Sequence, residues 1–220
     1  MTKPMLVIGN KNYSSWSLRP WLAMRVAGIE FDEKLIEFGD FGQDWVDAIT
    51  KFSPTKKVPL LIDGEIKVWE SLAILEYIAD KYPEKKLWPA DNAARAMARS
   101  VAAEMHAGFT NLRNHMPMNI RASHPGVNLD KPGVMDDINR ITAIWNECRS
   151  KYGAGGDFLF GQFSNADAMF APIVSRLTTH AVPVDAVSRA YMDAVQALPA
   201  MIEWSDAGRS EKAIVAMDEI

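Results

Sequence analysis

The chain has 220 residues, carries a net charge of −4, and is 48% apolar and 24% charged. This ordinary globular mixture excludes a disordered or fibrous protein, and a weakly acidic chain disfavours nucleic acid or an anionic membrane as a partner. The single cysteine, Cys148, excludes an intrachain disulfide and a paired-cysteine redox site. Residues 1–9 show no secretory signal pattern. We therefore expect a cytoplasmic location.

The chain begins with alternating strand and helix patterns. An apolar run at 5–8 predicts a buried strand, and helical spacing of apolar residues from Arg19 to Gly28 predicts a helix. A weak alternation at 31–38 predicts a second strand. Because a helix joins these two strands, we expect them to run parallel.

The next stretch predicts a hairpin and then a helix. Residues 58–62 form an apolar strand pattern, Asp63 and Gly64 form a strong hairpin turn, and residues 65–68 return as the next strand. Apolar residues recur at helical spacing over 70–82. The first part of the chain is therefore predicted to be a mixed α/β unit.

The pattern changes after a compact linker at 85–91, because almost everything beyond it has helical periodicity. We predict an α/β domain at 1–84 and an all-helical domain at 92–220, both of ordinary domain size. The predicted helices of the second domain are 92–114, 134–152, 166–181, 187–198 and 201–208.

Three short motifs in a fixed order carry the functional signal. A run from Ser14 to Arg19 opens the first predicted helix, a Val-Pro pair at 58–59 opens the third strand, and a Glu-Ser pair at 70–71 opens the next helix. The free N–H groups of a helix N-terminus attract a carboxylate, and an exposed strand edge pairs with an extended peptide. Together the motifs predict a pocket for a small peptide that carries a carboxylate, an α-amino group and a thiol, namely glutathione.

This arrangement resembles the cytosolic glutathione S-transferase family over the whole chain. The local match is to the zeta class, whose first helix opens with Ser-Ser-Cys-x-x-Arg. Ser14, Ser15 and Arg19 fit this motif, but Trp16 replaces its cysteine. The resemblance implies a thioredoxin-like N-terminal domain, a C-terminal helical bundle and a homodimer. It also implies a detoxification enzyme, which adds glutathione to a small hydrophobic electrophile. The four histidines and the single cysteine show no HExxH or paired-cysteine pattern, so we expect no metal.

Ser14 is the first candidate for the catalytic residue, because it precedes Arg19 by five positions, as the catalyst of the family does. A hydroxyl that donates a hydrogen bond to sulfur favours the thiolate. Lowering the thiol pKa by about two units requires about 2.7 kcal/mol. Ser15 is the alternative and Tyr13 is a weaker one, while both serines can also be simple helix caps. The resemblance makes Trp16 a neighbour of the bound tripeptide.

The other two motifs predict the glutathione contacts by resemblance. A cis peptide bond at Val58-Pro59 is expected to present the Val58 backbone to the cysteinyl part of glutathione. Ser71 and Glu70 are expected to bind the γ-glutamyl carboxylate and amine. A basic or amide side chain should bind the glycine carboxylate, for which the candidates are Lys57, Lys56 and Gln43.

The second substrate is expected to lie against the helical domain. His106, Phe109 and Arg113 fall at helical spacing on the predicted helix 92–114, which lines this pocket in the family. Two other functions stay open. One is a glutathione-dependent peroxidase or a maleylacetoacetate isomerase, although Trp16 disfavours the isomerase. The other is a non-catalytic binding or interaction protein.

Two further features are assigned to folding. Ser164 and Asp167 have the spacing of a capping box before an apolar helix. Cys148 lies within a predicted helix and is interpreted as structural, since position 14 holds a serine.

Overall fold

The computed structural model describes residues 3–219. The strands are β1 (Met5–Ile8), β2 (Asp32–Leu35), β3 (Leu60–Asp63) and β4 (Ile66–Trp69). They form one sheet of order β2-β1-β3-β4, in which β1 and β2 are parallel and the other neighbours are antiparallel. The predicted parallel pair and hairpin are thus confirmed.

Helices make up most of the remainder. None of the helices within residues 3–219 is long and apolar enough to cross a membrane. The α-helices are α1 (Ser15–Val26), α2 (Gln43–Thr50), α3 (Ser71–Lys81), α4 (Asn92–Ala107), α5 (Thr110–His115), α6 (Val134–Tyr152), α7 (Asn165–Thr179), α8 (Ala186–Gln196) and α9 (Pro199–Ser210).

The first helix ends as its sequence predicts. Gly28 follows the helix with a φ of 63°, in the left-handed region that glycine adopts at no steric cost. Its N–H donates to Arg25 O at 3.1 Å, and the Ile29 N–H donates to Met24 O at 2.9 Å. These two bonds form a Schellman motif and satisfy carbonyls that the helix end leaves free.

The predicted single helix over 92–114 is wrong, because the chain turns between α4 and α5. Phe109 has a φ of 58°, and a Cβ on Gly108 would lie only 2.8 Å from Glu104 O. Apolar periodicity continues through this turn, so the sequence pattern conceals it. The turn sets a new direction for α5, which carries Arg113.

The predicted strands are longer than those observed. Residues 31–38 were expected to form one strand, yet only Asp32–Leu35 pairs with β1. The strand expected at 58–62 begins at Leu60, and residues 58 and 59 precede the ladder. The backbone of these two residues is therefore outside the sheet, beside the N-terminus of α1.

Helix α7 is the central helix of the second part. Its predicted capping box between Ser164 and Asp167 is confirmed, and in it the Ser164 N–H donates to Asp167 Oδ2 at 2.8 Å. Outside the box, Asp167 Oδ1 accepts from the Leu159 N–H at 3.0 Å. Burial raises the pKa of the Asp167 carboxyl to about 6. The box fixes the start of a buried helix that ends beside the N-terminus of α1.

The α/β part and the helical part share one continuous core. Helix α1 packs against both α7 and α9. Leu87 is buried, and its carbonyl accepts from the Asn165 N–H at 2.8 Å, which joins the predicted linker to α7. The division into 1–84, 85–91 and 92–220 stays a prediction. The N-terminus of α1 lies where the sheet, α5 and α7 come together.

Candidate functional site

Two adjoining cavities open around the N-terminus of α1. The strand-side cavity, of about 300 Å³, is bordered by Pro59, Glu70 and Ser71. The helix-side cavity, of about 320 Å³, is bordered by α1, the segment around Phe38 to Trp45 and residues of the helical part. Four residues line both cavities, and they are Trp16, Lys57, Val58 and Arg113.

The wall of the strand-side cavity next to β3 is backbone. The Val58-Pro59 peptide bond is cis, as predicted. Neither the N–H nor the C=O of Val58 has a hydrogen-bond partner within residues 3–219. Because Val58 is only half-buried and lines the cavity, both groups are available to an extended peptide chain.

The opposite wall is the N-terminus of α3. Glu70 caps this helix with a φ of 68° and a ψ of 126°, a conformation that non-glycine residues rarely adopt. Ser71 is 0% exposed, and its Oγ has no hydrogen-bond partner in the described part of the chain. A buried hydroxyl without a partner is costly, and it lies at a helix end that attracts carboxylates. The strained backbone of Glu70 and the unpaired hydroxyl of Ser71 occur at adjacent residues, and this combination indicates a binding site.

The Glu70 side chain is half-exposed, and its Oε2 lies 3.6 Å from His106 Nε2. Burial, followed by the charge of Arg19, lowers the pKa of His106, whereas the Glu70 carboxylate acts in the opposite direction. A neutral His106 leaves the Glu70 carboxylate free to pair with a cationic amine.

The two candidate serines have different environments. Ser14 is the N-cap of α1: its Oγ accepts from the Ser17 N–H at 3.4 Å and its hydroxyl donates to Ser17 Oγ at 2.7 Å. Ser15 Oγ accepts from Arg176 Nη2 at 3.3 Å, and its hydroxyl donates to no acceptor within residues 3–219. Both line the helix-side cavity. Ser15 therefore retains a proton to donate, next to a cation.

The partition between the cavities is the Trp16 ring. The Arg19 guanidinium carbon lies 4.0 Å from the ring centroid and that of Arg113 lies 4.6 Å from it. The His106 ring meets it edge-on at 5.2 Å. Two cation–π contacts and one aromatic contact hold the indole where the zeta-class motif has a cysteine.

Buried arginines surround this partition, and sequence reasoning missed the extent of the cluster. Arg19 is 0% exposed, and none of its three guanidinium nitrogens has a partner in the described residues. Burial, then the charges of Arg176 and Arg113, lower the pKa of Arg19 well below its ordinary value. Burial and Arg113 lower that of Arg176 to about 9. The available signal for Arg176 is that it is the one charged residue in the otherwise uncharged stretch 170–177.

The other predicted site residues are distributed unevenly. Arg113 lines the helix-side cavity, but His106 and Phe109 line neither cavity. His106 packs edge-on against the Trp16 ring, and the turn after α4 buries Phe109. The Tyr13 hydroxyl hydrogen-bonds Glu219 and accepts from Arg121 Nη2 at 2.6 Å, so it is committed to the C-terminal segment.

Among the candidates for the glycine carboxylate, Lys57 lines both cavities. Lys56 is exposed and lines neither, and the Gln43 amide donates to Asp47 Oδ1 at 2.7 Å. Cys148 is fully buried, and burial raises its thiol pKa to about 12, which makes it unreactive.

Comparison with known proteins agrees with this arrangement. Residues 9–80 match the family model "Glutathione S-transferase, N-terminal domain". A probable maleylacetoacetate isomerase of Caenorhabditis elegans is 24% identical over 206 residues, which cover 87% of this chain and 94% of that protein. The maleylacetoacetate isomerase of Rattus norvegicus is 29% identical, with 79% and 77% covered. A zeta-class glutathione S-transferase of Euphorbia esula is 30% identical, with 53% and 52% covered.

Solved structures show the same fold. A glutathione transferase homolog from Burkholderia, with bound glutathione, superposes with a TM-score of 0.71 at 21% identity, covering 96% of this chain and 100% of that one. A diazinon-metabolizing glutathione S-transferase of Bombyx mori also gives a TM-score of 0.71, at 18% identity, covering 94% and 98%. The N-terminal part of the chain thus matches the glutathione S-transferase family, and relatives and solved structures with names from that family align with most of the remainder. The predicted family, fold and enzyme class are thereby confirmed.

Proposed function

We propose that the protein is a glutathione transferase that joins the thiolate of glutathione to a small electrophile with an apolar body. Glutathione occupies the strand-side cavity, and the electrophile occupies the helix-side cavity. The observation that carries this proposal is the pair of cavities that meet at Trp16 and Val58, one with backbone and helix-end groups for a peptide and the other with aromatic walls.

Each part of glutathione has a matching group in the strand-side cavity. The γ-glutamyl carboxylate meets the Ser71 hydroxyl and the N–H groups of the first turn of α3, and the γ-glutamyl amine meets Glu70. The cysteinyl peptide pairs with the Val58 backbone, and Lys57 faces the glycine carboxylate. The thiol then lies at the boundary between the two cavities. These contacts account for the unpaired Ser71 hydroxyl.

Ser15 is the group we propose as the hydrogen-bond donor to the thiolate. Its hydroxyl proton has no other acceptor among residues 3–219, and Arg176 polarises its oxygen. Ser14 secures the helix start by accepting from Ser17. The positive end of α1 adds to the stabilisation of the anion. The thiol proton leaves to solvent, and the serine oxygen forms no covalent bond.

The test measures the pKa of bound glutathione from thiolate absorbance in the wild type, Ser15→Ala and Ser14→Ala. We expect a value below that of free glutathione in the wild type, and a rise of about one to two units in Ser15→Ala, the scale of a charge-assisted hydrogen bond. Ser14→Ala should keep the low pKa. A rise only in Ser14→Ala would assign the donor to Ser14, and an ordinary wild-type pKa would refute thiolate activation.

Turnover completes the test. With 1-chloro-2,4-dinitrobenzene the sulfur forms a bond to the ring carbon, and chloride leaves with the bonding electron pair. Ser15→Ala should slow this reaction at neutral pH but not at high pH, where free thiolate is abundant. Glutathione binding without turnover of several electrophiles would favour a binding protein instead.

A second candidate function is isomerisation, which is favoured by the names of two relatives, both called maleylacetoacetate isomerase. Trp16 stands where the zeta motif has its cysteine, and this difference disfavours it. Incubation with maleylacetoacetate and glutathione distinguishes the two functions, because an isomerase returns glutathione unchanged. The homodimer usual in the family is also proposed here, and light scattering of the purified chain tests it.

A further inference from the structure

A third cavity, the α7–α9 cleft, opens between helices α7 and α9. Both helices pack against α1, and Gln196, the last residue of α8, borders the space that remains between them. The cleft has a volume of about 250 Å³. A water molecule takes only about 30 Å³ in the liquid, so the cleft has room for a small organic molecule. Among the described residues, none that lines this cleft also lines the strand-side or the helix-side cavity.

Two buried serine hydroxyls of the α7–α9 cleft have no partner. Ser175 on α7 is 7% exposed, Ser205 on α9 is 9% exposed, and both line the cleft. Thr178 on the same face of α7 donates to Val174 O at 2.8 Å, the usual partner of a hydroxyl within a helix. Neither serine hydroxyl makes such a bond, or any other hydrogen bond within residues 3–219. Because a buried hydroxyl without a partner is costly, the two serines indicate a polar group that enters the cleft.

The other polar side chains hold the walls of the cleft in place. Gln196 Nε2 donates to Thr178 Oγ1, which joins α8 to α7. Thr179 Oγ1 donates to Asn119 O at 3.0 Å, which joins α7 to the loop before α6. The second polar atom of the Gln196 amide, Oε1, accepts no hydrogen bond in the described part of the chain. The cleft is therefore formed without a ligand, and it offers hydroxyl donors and an amide acceptor.

The charges around the cleft favour an uncharged ligand. Arg209 is the one charged residue among the described residues that line it, and its Nη1 donates to Asp206 Oδ1 at 3.0 Å. This pair is exposed to water, which screens its charges. Since Asp206 already accompanies the cation, no unpaired charge faces the cleft. Met201, which is 3% exposed, adds an apolar surface to the same wall as Ser205.

We propose that the α7–α9 cleft binds a small uncharged compound with several hydroxyl groups, namely a sugar or a sugar alcohol. A hydroxyl both donates and accepts, so it matches a serine hydroxyl and the Gln196 carbonyl alike. The hydroxyls of the ligand bond to Ser175, Ser205 and Gln196 Oε1, and its C–H groups pack on Met201. This binding site goes beyond the proposed transferase function, because it shares no described residue with either of the other cavities.

The test compares xylitol, which has a hydroxyl on every carbon, with 1,5-pentanediol, a chain of the same length with hydroxyls only at its ends. Polyols stabilise folded proteins without binding, so binding is measured from amide chemical shifts and not from thermal stability. Xylitol should bind the wild type at least about fivefold more tightly than the diol, the scale of one net hydrogen bond. The shifts should cluster on α7 and α9. Equal affinities, shifts that cluster elsewhere or a xylitol titration that does not saturate would each overturn the inference.

Serine variants locate the binding groups. Ser175→Ala and Ser205→Ala should each weaken xylitol binding about threefold or more, through loss of one hydrogen bond. Ser100→Ala is the matched control, because its hydroxyl donates to Ala96 O on the surface of α4, and its affinity for xylitol should equal that of the wild type. Unchanged affinity in both cleft variants contradicts the proposal.

Stability without ligand separates binding from a structural role. Neither hydroxyl has a partner in the described fold, and alanine favours a helix more than serine does. Ser175→Ala and Ser205→Ala should therefore unfold at the temperature of the wild type or above it. A lower unfolding temperature in both variants would mean that these hydroxyls serve the fold itself, and this result would overturn the inference.

Competing ligands complete the test. Saturating glutathione should leave the affinity for xylitol unchanged, whereas displacement would place xylitol in the strand-side cavity and refute the proposal. Inorganic phosphate that binds at the same amides more tightly than xylitol would reveal an anion site at Arg209, which also refutes it. These readouts need no turnover, so the inference stands or fails separately from the transferase function.

Discussion

The two cavities differ in what they are made of. Most of the strand-side cavity is formed by the stretch 55–71, which contributes the backbone groups of Val58 and the helix end at Glu70–Ser71, while Trp16 and Arg113 border it from elsewhere in the chain. The helix-side cavity depends on side chains from α1, α5, α7 and the C-terminal segment. We infer that a backbone-built pocket binds the constant partner, glutathione, whereas a pocket built from side chains adapts to different electrophiles.

The largest expected effect is on the free energy of unfolding and concerns the capping box of α7, a helix that borders the helix-side cavity. Asp167→Asn should lower the free energy of unfolding by about 3 kcal/mol, because a buried carboxylate that accepts from two backbone N–H groups is replaced by a poorer acceptor. Chemical denaturation measures this loss. Asp185→Asn is the control, since this exposed-side cap of α8 should cost about 1 kcal/mol or less. Equal losses would mean that the capping box is not special.

The next effect concerns the strand-side cavity. Ser71→Ala should weaken glutathione binding about tenfold, through loss of a hydrogen bond to a charged carboxylate worth about 1.5 kcal/mol. Calorimetric titration provides the measurement. Ser100→Ala is the matched control, because its hydroxyl donates only to Ala96 O on the surface of α4. Undiminished affinity in Ser71→Ala would move the γ-glutamyl group elsewhere.

A smaller effect on the free energy of unfolding is expected at the two candidate serines, which line the helix-side cavity at the N-terminus of α1. Ser14→Ala should lower the free energy of unfolding by about 1 kcal/mol, the usual cost of a lost N-cap. Ser15→Ala should cost less than Ser14→Ala, because its hydroxyl caps nothing and its oxygen accepts only one long hydrogen bond, from Arg176 Nη2 at 3.3 Å. Thermal unfolding of both variants checks this. The reverse ranking would exchange their roles.

The smallest expected effect is on the free energy of unfolding and concerns the hydrogen bonds of Asp63, which join two elements next to the strand-side cavity. Asp63 accepts from Tyr77 Oη at 2.7 Å and from Lys81, which ties β3 to α3. The hydrogen bond from Lys81, and then that from Tyr77, lower the pKa of the Asp63 carboxyl. In the unfolded chain the pKa of an Asp carboxyl is near 3.9, so the lower folded-state pKa means that the ionised carboxylate stabilises the fold at a pH above that value. This stability is lost as the pH falls through the folded-state pKa.

Asp63→Asn should therefore cost about 1 kcal/mol or less at pH 7 and nothing at a pH below both pKa values. Denaturation at the two pH values, wild type against variant, supplies the measurement. A difference that persists in acid would show that the side chain acts through packing and not through charge.

Sequence patterns predicted the strand-side cavity well because its parts are local. The Val-Pro pair, the hairpin turn and the Glu-Ser pair each encode a backbone geometry within a few residues of themselves, and the cis bond is confirmed. The helix-side cavity was predicted poorly. Only Arg113 of its three proposed residues lines it, because a turn at 108–109 interrupts a continuous apolar periodicity.

By itself, then, the sequence determined the α/β and helical parts, the family resemblance and the residues that form the wall of the strand-side cavity, since these follow from local turns, caps and periodicity. Only the tertiary structure decided that Ser15 keeps a free proton beside Arg176 and that Arg113 packs on the Trp16 ring. Those choices depend on contacts between residues more than 90 positions apart, such as Ser15 with Arg176, and no local pattern encodes them.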